Sequence, residues 1–238
     1  MTTFAAPWLL VERGELEGRG VIRLDPEESG HLVRSLRRRA GDRVTLTDGA
    51  GTVAEGVVHS RSATAATVEL GAVITVPKPP GPGLTLALAV LHGQAMDWAV
   101  QKAVEVGVWR LVPLLAEHSQ LRLRAARGRV HHWRRVARAA LKQCHRPWAM
   151  EVGDPLALAE LARLGRLDGG VLAHPEGRPL GELPAGHGSL LLVGPEGGLS
   201  TAEEELLDAA GWWRLRLGPF TLRAETAAVV GAALLINR

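Results

Sequence analysis

The chain has 238 residues, which suits one large domain or two unequal ones. Its 46% apolar and 22% charged residues are ordinary for a globular protein, and no stretch reaches the roughly 18 uninterrupted apolar residues of a membrane span, which argues against a membrane protein. The formal net charge is only +3, but all except three of the 28 cations are arginine, whose planar fork of donors suits phosphate contacts.

The first residues of the chain carry no basic leader, and acidic Glu12 and Glu15 follow a short apolar stretch, so we expect a cytoplasmic protein.

The N-terminal third has the pattern of a small β-rich domain. Alternation of β-branched and polar residues predicts strands, with Asp48-Gly49 marking a turn. These strands lie within residues 20–24, 43–60 and 64–76. A short basic helix over 31–39, ended by Gly41, interrupts them.

Arginine is concentrated in two segments, 31–43 and 121–146. Either segment alone is equally consistent with a solvated helix face, but two such segments favour a nucleic acid as partner. We predict that a patch in the first segment contacts RNA phosphate. The patch consists of Arg34, Arg37, Arg38 and Arg39.

A proline-rich segment marks the clearest break in the chain. Residues 76–83 contain four prolines and two glycines, which exclude a regular helix or central strand and indicate a linker. We therefore predict a first domain over 1–76, a linker over 77–83 and a second domain over 84–238.

After the linker, strand and helix patterns alternate, which predicts a parallel α/β sheet. The strands lie within 84–91, 109–115, 169–175, 189–194 and 213–218, and the helices within 97–107, 126–145, 156–165, 201–211 and 224–236. Asp97 is the expected N-cap of the first helix and Gly107 its end. Ser200 and Glu203 have the spacing of a capping box.

Two glycine-containing loops join a strand to a helix in the second domain. GPEGG (194–198) and LGPFTLR (217–223) would lie at the C-terminal edge of the sheet, where open α/β folds bind ligands. Each loop alone also fits an ordinary turn. Neither matches the dinucleotide or P-loop fingerprint, no G-x-S-x-G elbow occurs, and the single cysteine, Cys144, cannot by itself assemble a metal site. We therefore predict no metal ion.

The two loops, taken in order, resemble a known family. The run LLLVGPEGGLSTAEEELL followed by RLGPFTLRAETAAVVGAALL is similar to the C-terminal hallmark of the bacterial 16S ribosomal RNA N3-uridine methyltransferases of the SPOUT superfamily. The segment 97–119 and the basic motif HLVRSLRRRAGD are similar to further motifs of that family. The pattern departs at Lys142, where an acidic residue is expected, and at His145, where a glycine is expected.

The resemblance implies a fold and a set of partners. It implies a trefoil-knotted α/β SPOUT domain after an N-terminal PUA-like β-barrel, a homodimer, S-adenosylmethionine as cofactor, and 16S ribosomal RNA as substrate, within the small ribosomal subunit. The apolar helix 224–236 fits burial at a dimer contact as well as in the core.

The resemblance also implies the site residues. Cofactor-binding positions would lie in three loops, at Leu172, His174 and Pro175, at Gly194, Pro195, Glu196 and Gly198, and at Leu217, Gly218 and Leu222. Arg223 is the first candidate for handling the uracil or the developing imide anion, with a salt bridge to Glu225 or Glu196 as the structural alternative. Glu225 is the candidate proton acceptor, although a hydrogen bond that fixes the loop is equally consistent with its position.

Two other functions fit parts of the pattern. Another SPOUT specificity, such as ribose 2′-O-methylation, would share the knot and act on a different acceptor atom. A noncatalytic RNA-binding or ribosome-assembly protein would use the β-rich domain and the arginine patches without a cofactor.

Overall fold

A computed structural model describes residues 6–18, 20–81, 83–119 and 123–238. The chain forms two compact units, the first from 1–79 with 138–149 and the second from 80–137 with 150–238. The domain limits predicted from the proline-rich linker, 1–76 and 84–238, remain a prediction. Within the described residues, no helix combines the length and apolar character needed to cross a membrane.

The first unit is built on a mixed five-stranded sheet in the order β1-β3-β4-β5-β2. Its strands are β1 (Trp8–Leu10), β2 (Val21–Arg23), β3 (Arg43–Thr47), β4 (Thr52–Ser60) and β5 (Thr67–Thr75). The predicted turn between β3 and β4 is confirmed, because Asp48 Oδ1 accepts hydrogen bonds from the backbone N–H groups of Ala50 at 2.8 Å and Thr52 at 3.0 Å.

The predicted helix over 31–39 was wrong in both its limits. A helix, α1 (Pro26–Gly30), begins earlier and continues into a π-helical turn over His31–Ser35. It begins there because the Asp25 side chain accepts from the backbone N–H of Glu28 at 2.7 Å and proline occupies the first turn. It ends before Gly41 because Arg37 takes a left-handed backbone conformation, with φ of 52°.

Both departures from the family pattern have a structural setting in the first unit. Lys142 Nζ lies 2.5 Å from Glu28 Oε1, and these side chains are 13% and 3% exposed. His145 has a φ of 57°, the left-handed region that glycine adopts freely, and its ring stacks on Trp8 with centroids 5.3 Å apart. Lys142 therefore neutralises a buried carboxylate, and His145 keeps a glycine-like backbone while adding an aromatic contact.

The second unit contains a parallel sheet in the order β12-β10-β11-β6-β7-β8, with β9 also paired to β7. The strands are β6 (Thr85–Ala89), β7 (Arg110–Leu115), β8 (Glu151–Val152), β9 (Leu156–Ala157), β10 (Gly170–Arg178), β11 (Leu190–Val193) and β12 (Trp213–Leu215). The helices are α2 (Gln94–Val106), α3 (Leu123–Cys144), whose end belongs to the first unit, α4 (Leu158–Asp168), α5 (Thr201–Ala209) and α6 (Ala224–Ile236). The predicted parallel α/β sheet is confirmed.

Helices cover both faces of this sheet. Leu190 and Leu192 of β11 pack with buried residues of α4 and α5, including Leu161 and Leu207. Leu191, which points to the opposite face, lies so close to α6 that a Cβ on Gly231 would stand 2.8 Å from its side chain. The small residues of α6 therefore let this helix approach the strand that leads into the GPEGG loop.

The prediction of Asp97 as an N-cap was wrong. α2 begins at Gln94, after Gly93, whose φ of 53° turns the chain, and Asp97 lies in the first turn. Its Oδ2 atom accepts from His132 Nε2 at 2.7 Å, and a carboxylate in the first turn favours the positive end of the helix dipole. Gly107 ends the helix as predicted, with a left-handed φ of 101°.

Candidate functional site

Two loops and the middle of a strand meet at one edge of the parallel sheet. The prediction of a third loop at residues 172–175 was wrong, because β10 continues through them to Arg178. β12, β10 and β11 are neighbours in the sheet and run parallel, so their carboxyl ends lie side by side. Residues 172–175 of β10, together with residues that end or follow β11 and β12, enclose a cavity of about 530 Å³. This is the edge at which open α/β folds bind ligands, and the volume is within the range of small-molecule sites, roughly 300–1,000 Å³.

The first glycine loop is held in a fixed turn between β11 and α5. The backbone N–H of Gly198, which has a left-handed φ of 74°, donates to the Pro195 carbonyl at 2.9 Å. Gly194 lies against Leu199, where a Cβ would stand 3.3 Å from the leucine side chain. The glycines therefore allow a tight loop that a bulkier sequence would open.

The capping box predicted from Ser200 and Glu203 is confirmed. Ser200 Oγ accepts from the Glu203 N–H at 3.4 Å, and Glu203 Oε2 accepts from the Ser200 N–H at 3.0 Å. The other carboxylate oxygen of Glu203 accepts from the Glu117 N–H at 2.8 Å, and His118 Nδ1 lies 3.1 Å from the Gly198 carbonyl. The loop that follows β7 thus braces the glycine loop from outside the cavity.

Replacing Ser200 by alanine is expected to lower the free energy of unfolding by about 1 kcal/mol, because the Glu203 N–H loses its capping acceptor. Chemical denaturation followed by tryptophan fluorescence measures this change. Thr201→Ala is the matched control, since Thr201 is the exposed first residue of α5 and does not cap it. Equal losses in the two variants would contradict the capping role.

The second loop, 216–223, joins β12 to α6. The Arg216 N–H donates to the Arg178 carbonyl at 2.8 Å, which ties the start of the loop to β10. Leu217 lies near Gly231 of α6, where a Cβ would stand 3.4 Å from its side chain. Arg223 ends the loop as the N-cap residue of α6, and its side chain is exposed and lines the cavity.

His174, in the middle of β10, belongs to a charged cluster at the cavity edge. Its Nδ1 atom accepts from the Glu176 N–H at 3.1 Å, and its Nε2 atom lies 3.3 Å from Arg214 Nη1 and 3.5 Å from Glu204 Oε1. Arg214 binds Glu204 at 2.9 Å and Asp208 at 2.7 Å. The pKa of the Arg214 guanidinium is raised, and the largest cause is its hydrogen bond to Asp208. The cluster fixes the imidazole orientation.

The structure brings together all ten of the positions predicted to bind the cofactor. Each of them lines the cavity, and so does Arg223; the ten are Leu172, His174, Pro175, Gly194, Pro195, Glu196, Gly198, Leu217, Gly218 and Leu222. Glu225 does not line it and lies half-buried in the first turn of α6. Across the described part of the chain, Arg223 forms no ion pair, so the alternative salt bridge to Glu225 or Glu196 is absent there.

Sequence reasoning missed three charged or aromatic residues of the cavity wall. Arg216 and Phe220 flank or lie within the second loop, so their place in the motif was a usable signal. Glu204 also lines the cavity, but it looked like an ordinary first-turn acid of α5. Its role emerges only from the tertiary ion pair with Arg214.

The arginine patch lies in the first unit, after α1. Arg34, Arg37 and Arg39 are exposed and Arg38 is half-buried. The Arg34 guanidinium lies against Gly30, in the space that any Cβ there would take. None of the four forms an ion pair with another described residue, so at least three cationic side chains of the patch are open to an anionic partner.

Comparison with known proteins identifies relatives over nearly the whole chain. A family model described as an RNA methyltransferase domain matches residues 78–236, and one described as an RNA methyltransferase PUA domain matches residues 24–70. Ribosomal RNA small subunit methyltransferase E of Aquifex aeolicus is 33% identical over 145 residues, which are 60% of this chain and 63% of that protein.

Two further relatives are similar over most of their length. The protein of the same name from Mycobacterium bovis is 30% identical over 220 residues, covering 87% of this chain and 82% of that protein. The crystal structure of ribosomal RNA small subunit methyltransferase E from Neisseria gonorrhoeae, bound to S-adenosyl methionine, has a TM-score of 0.87 at 25% identity and covers 96% of each chain.

Proposed function

The chain belongs to the ribosomal RNA small subunit methyltransferase E family, and from this membership we propose that it transfers the methyl group of S-adenosylmethionine to N3 of a uridine in 16S ribosomal RNA. The observation that carries the proposal is the cavity at the carboxyl ends of β11 and β12, beside residues 172–175 of β10, which gathers both family loops and has Arg223 on its wall.

The volume and the lining of the cavity suit S-adenosylmethionine. Its buried residues include Leu172 and Val193, which suit an adenine ring, while the exposed Glu196 supplies negative charge toward a cationic sulfonium. A Cβ on Gly218 would meet no atom within 4 Å, so the backbone of the second loop is accessible to a ligand. When bound, this cofactor supplies an electrophilic methyl group.

Arg223 is proposed to act on the uracil. N3 of uridine carries a weakly acidic imide proton, and its loss leaves negative charge shared with the flanking carbonyl oxygens. A guanidinium with no described ion-pair partner can donate to one of those oxygens and stabilise the anion as it forms. Holding the base in line with the methyl donor supplies a further part of the rate.

Glu225 is proposed to accept the imide proton through a water molecule. It lies two residues beyond Arg223, in the first turn of α6, and outside the cavity wall. A direct transfer would require its carboxylate to reach the base. Through a bridging water, the imide proton passes to the water while the water gives one of its own protons to the carboxylate. The same carboxylate also favours the N-terminal end of the α6 dipole.

The finer structural features of the family are part of the proposal. We propose that the loops 194–200 and 216–223 belong to a trefoil knot and that the first-unit sheet closes as a PUA-like barrel, as in the family. We also propose a homodimer that acts on the small ribosomal subunit in the cytoplasm. In support of a dimer contact, the apolar helix α6 leaves Val230 and Leu234 only half-buried.

Transfer of a labelled methyl group from S-adenosylmethionine to purified small-subunit RNA tests the activity. We expect incorporation into small-subunit RNA and little into large-subunit RNA. Calorimetric titration of the protein with S-adenosylmethionine separates an enzyme from a noncatalytic RNA-binding protein, which has no reason to bind the cofactor. Absence of both cofactor binding and methyl transfer would overturn the proposal.

Neutralising the arginine patch is expected to weaken RNA binding and to flatten its salt dependence. In the Arg34→Gln, Arg37→Gln, Arg38→Gln and Arg39→Gln variant, the slope of log Kd against log salt should fall by about one for each RNA phosphate that the protein no longer neutralises. Fluorescence anisotropy with labelled small-subunit RNA measures it. Arg23→Gln with Arg61→Gln is the control, because both are exposed arginines of the same unit outside the patch. An unchanged slope in the patch variant would refute the assignment.

A further inference from the structure

Phe220 is the most exposed large apolar side chain among the described residues. It is 82% exposed, and the next, Val21, is 51% exposed. The chain is poor in aromatic residues, with no tyrosine and only two phenylalanines. A bulky aromatic ring held in solvent gives up the hydrophobic stabilisation of burial, about 1.5–3 kcal/mol, and its place on the wall of the cavity is therefore informative.

The apolar side chains of the loop that carries Phe220 differ in how deeply they are buried. Leu217 packs near Gly231 of α6 and is half-buried, whereas Phe220, three residues later, remains in solvent. Buried leucine and valine side chains already line the cavity wall beneath the loop. Phe220 therefore stands at the rim, where a large ligand outside the cavity can reach it.

Two arginines with no described ion-pair partner line the same cavity as this ring. Arg216 and Arg223 are exposed, line the same cavity and form no ion pair with any described residue, in contrast to Arg214, which binds Glu204 and Asp208. An exposed aromatic ring and two available guanidinium groups on one cavity wall suit a ligand with flat bases and a phosphate backbone, because bases stack on aromatic rings and guanidinium groups bind phosphate.

The same charges argue against a second copy of the chain as the occupant. In a two-fold symmetric contact centred on Phe220, the patch would face itself and bring the Arg216 and Arg223 side chains of the two copies together. Such like-charge juxtaposition is unfavourable at an interface. A polyanion, in contrast, would be attracted by both guanidinium groups.

We propose that Phe220 is a stacking platform for an unstacked base of the RNA substrate at the mouth of the cofactor cavity. The proposal rests on the proposed function for the identity of the RNA, and its test can be read without methyl transfer. The ring holds the plane of the base, Arg216 and Arg223 hold the backbone or the uracil oxygens, and the cavity behind them holds the cofactor.

The direct test is a binding cycle with two RNA probes. A short fluorescein-labelled oligouridine and the same oligomer with abasic sites carry the same phosphates, but only the first offers bases for stacking. Phe220→Ala should weaken binding of the oligouridine about 5-fold to 100-fold, the range for removing one base–aromatic stack, and should leave binding of the abasic oligomer and the salt slope unchanged.

Three further variants separate stacking from burial of apolar area. Phe220→Trp should restore binding, and Phe220→Leu, which keeps apolar bulk without a ring, should remain close to Phe220→Ala. Leu206→Ala, which removes a 40% exposed apolar side chain of α5 outside this cavity, should leave binding at the wild-type level. Full rescue by leucine, or equal losses for both RNA probes, would overturn the stacking role.

The remaining outcomes identify other occupants or a failure of the proposed function. Weaker S-adenosylmethionine binding by Phe220→Ala, with unchanged oligouridine binding, would assign the ring to the cofactor and overturn the proposal. A shifted monomer–dimer equilibrium with unchanged RNA binding would assign it to a second copy and also overturn it. If the wild type transfers no methyl group, the proposed function fails, while the binding cycle still decides the stacking role.

Discussion

Arg223→Ala is expected to lower the rate of methyl transfer about 10²-fold to 10³-fold, the usual effect of removing one preorganised donor to a developing anion. The loss should lie mainly in kcat, because the negative charge on the uracil develops only in the transition state. The affinity for S-adenosylmethionine and the melting temperature should stay near wild-type values, since the side chain is exposed and forms no ion pair with a described residue.

Two variants make this result specific. Arg223→Lys keeps the charge but not the planar fork, so it should recover only part of the rate. Arg163→Ala removes an exposed arginine of α4 outside the cavity and should turn over normally. Wild-type turnover by Arg223→Ala would remove this residue from the mechanism, and an equal loss in Arg163→Ala would attribute the effect to general RNA attraction.

Lys142→Met should destabilise the protein by about 3–5 kcal/mol, because it leaves the carboxylate of Glu28 buried without its counter-charge. Glu28 is 2% exposed, and its second carboxylate oxygen accepts from the Leu10 N–H at 3.3 Å, so the group cannot turn to solvent without breaking a strand contact. Chemical denaturation and the melting temperature of the full chain measure the loss.

A double variant separates the orphaned charge from a defect in packing. Glu28→Gln combined with Lys142→Met removes both charges and keeps an amide oxygen for the Leu10 N–H, so most of the stability should return. Lys102→Met is the surface control, since the Lys102–Glu105 pair is partly exposed and its loss should cost at most about 1 kcal/mol. A double variant as unstable as Lys142→Met alone would contradict the explanation.

The local elements were largely predictable from sequence because their signals are local. The alternating apolar segments of the second half gave its parallel strands and helices, and the spacing of Ser200 and Glu203 gave the start of α5. The helix before the arginine patch was misplaced although a local signal existed. Asp25 followed by Pro26 marks an N-terminus more strongly than the basic run that follows it.

Long-range relations could not be read in the same way. Periodicity does not reveal that β10 lies between β11 and β12, and that order brings two loops and residues 172–175 of β10 to one cavity. Nor does it show that residues 138–149 pack with the first unit, where Lys142 meets Glu28. The resemblance of two motifs to a known family predicted which residues form the site, whereas only the fold shows that these residues lie close together.

The chemistry of individual side chains depended on partners distant in sequence. Glu204 and His174 acquire defined orientations through Arg214, and no local pattern connects these three residues. Asp97 is a residue type that is common at N-caps, but Gly93 is the N-cap of α2, one turn earlier. The carboxylate of Asp97 binds His132 instead. Tertiary contacts therefore decide which side chains remain available for function, and they leave Arg223 and Phe220 exposed on the cavity wall.

Mass mapping of the modified base tests the proposed methylation most directly. Small-subunit RNA is incubated with the protein and isotope-labelled S-adenosylmethionine, digested, and sequenced by tandem mass spectrometry. We predict one labelled methyl group on the base of a single uridine, at N3, and labelling about 10²-fold to 10³-fold slower when Arg223→Ala replaces the wild type. A methyl group on a ribose 2′-oxygen, or RNA that remains unlabelled while the protein binds the cofactor, would contradict the proposal.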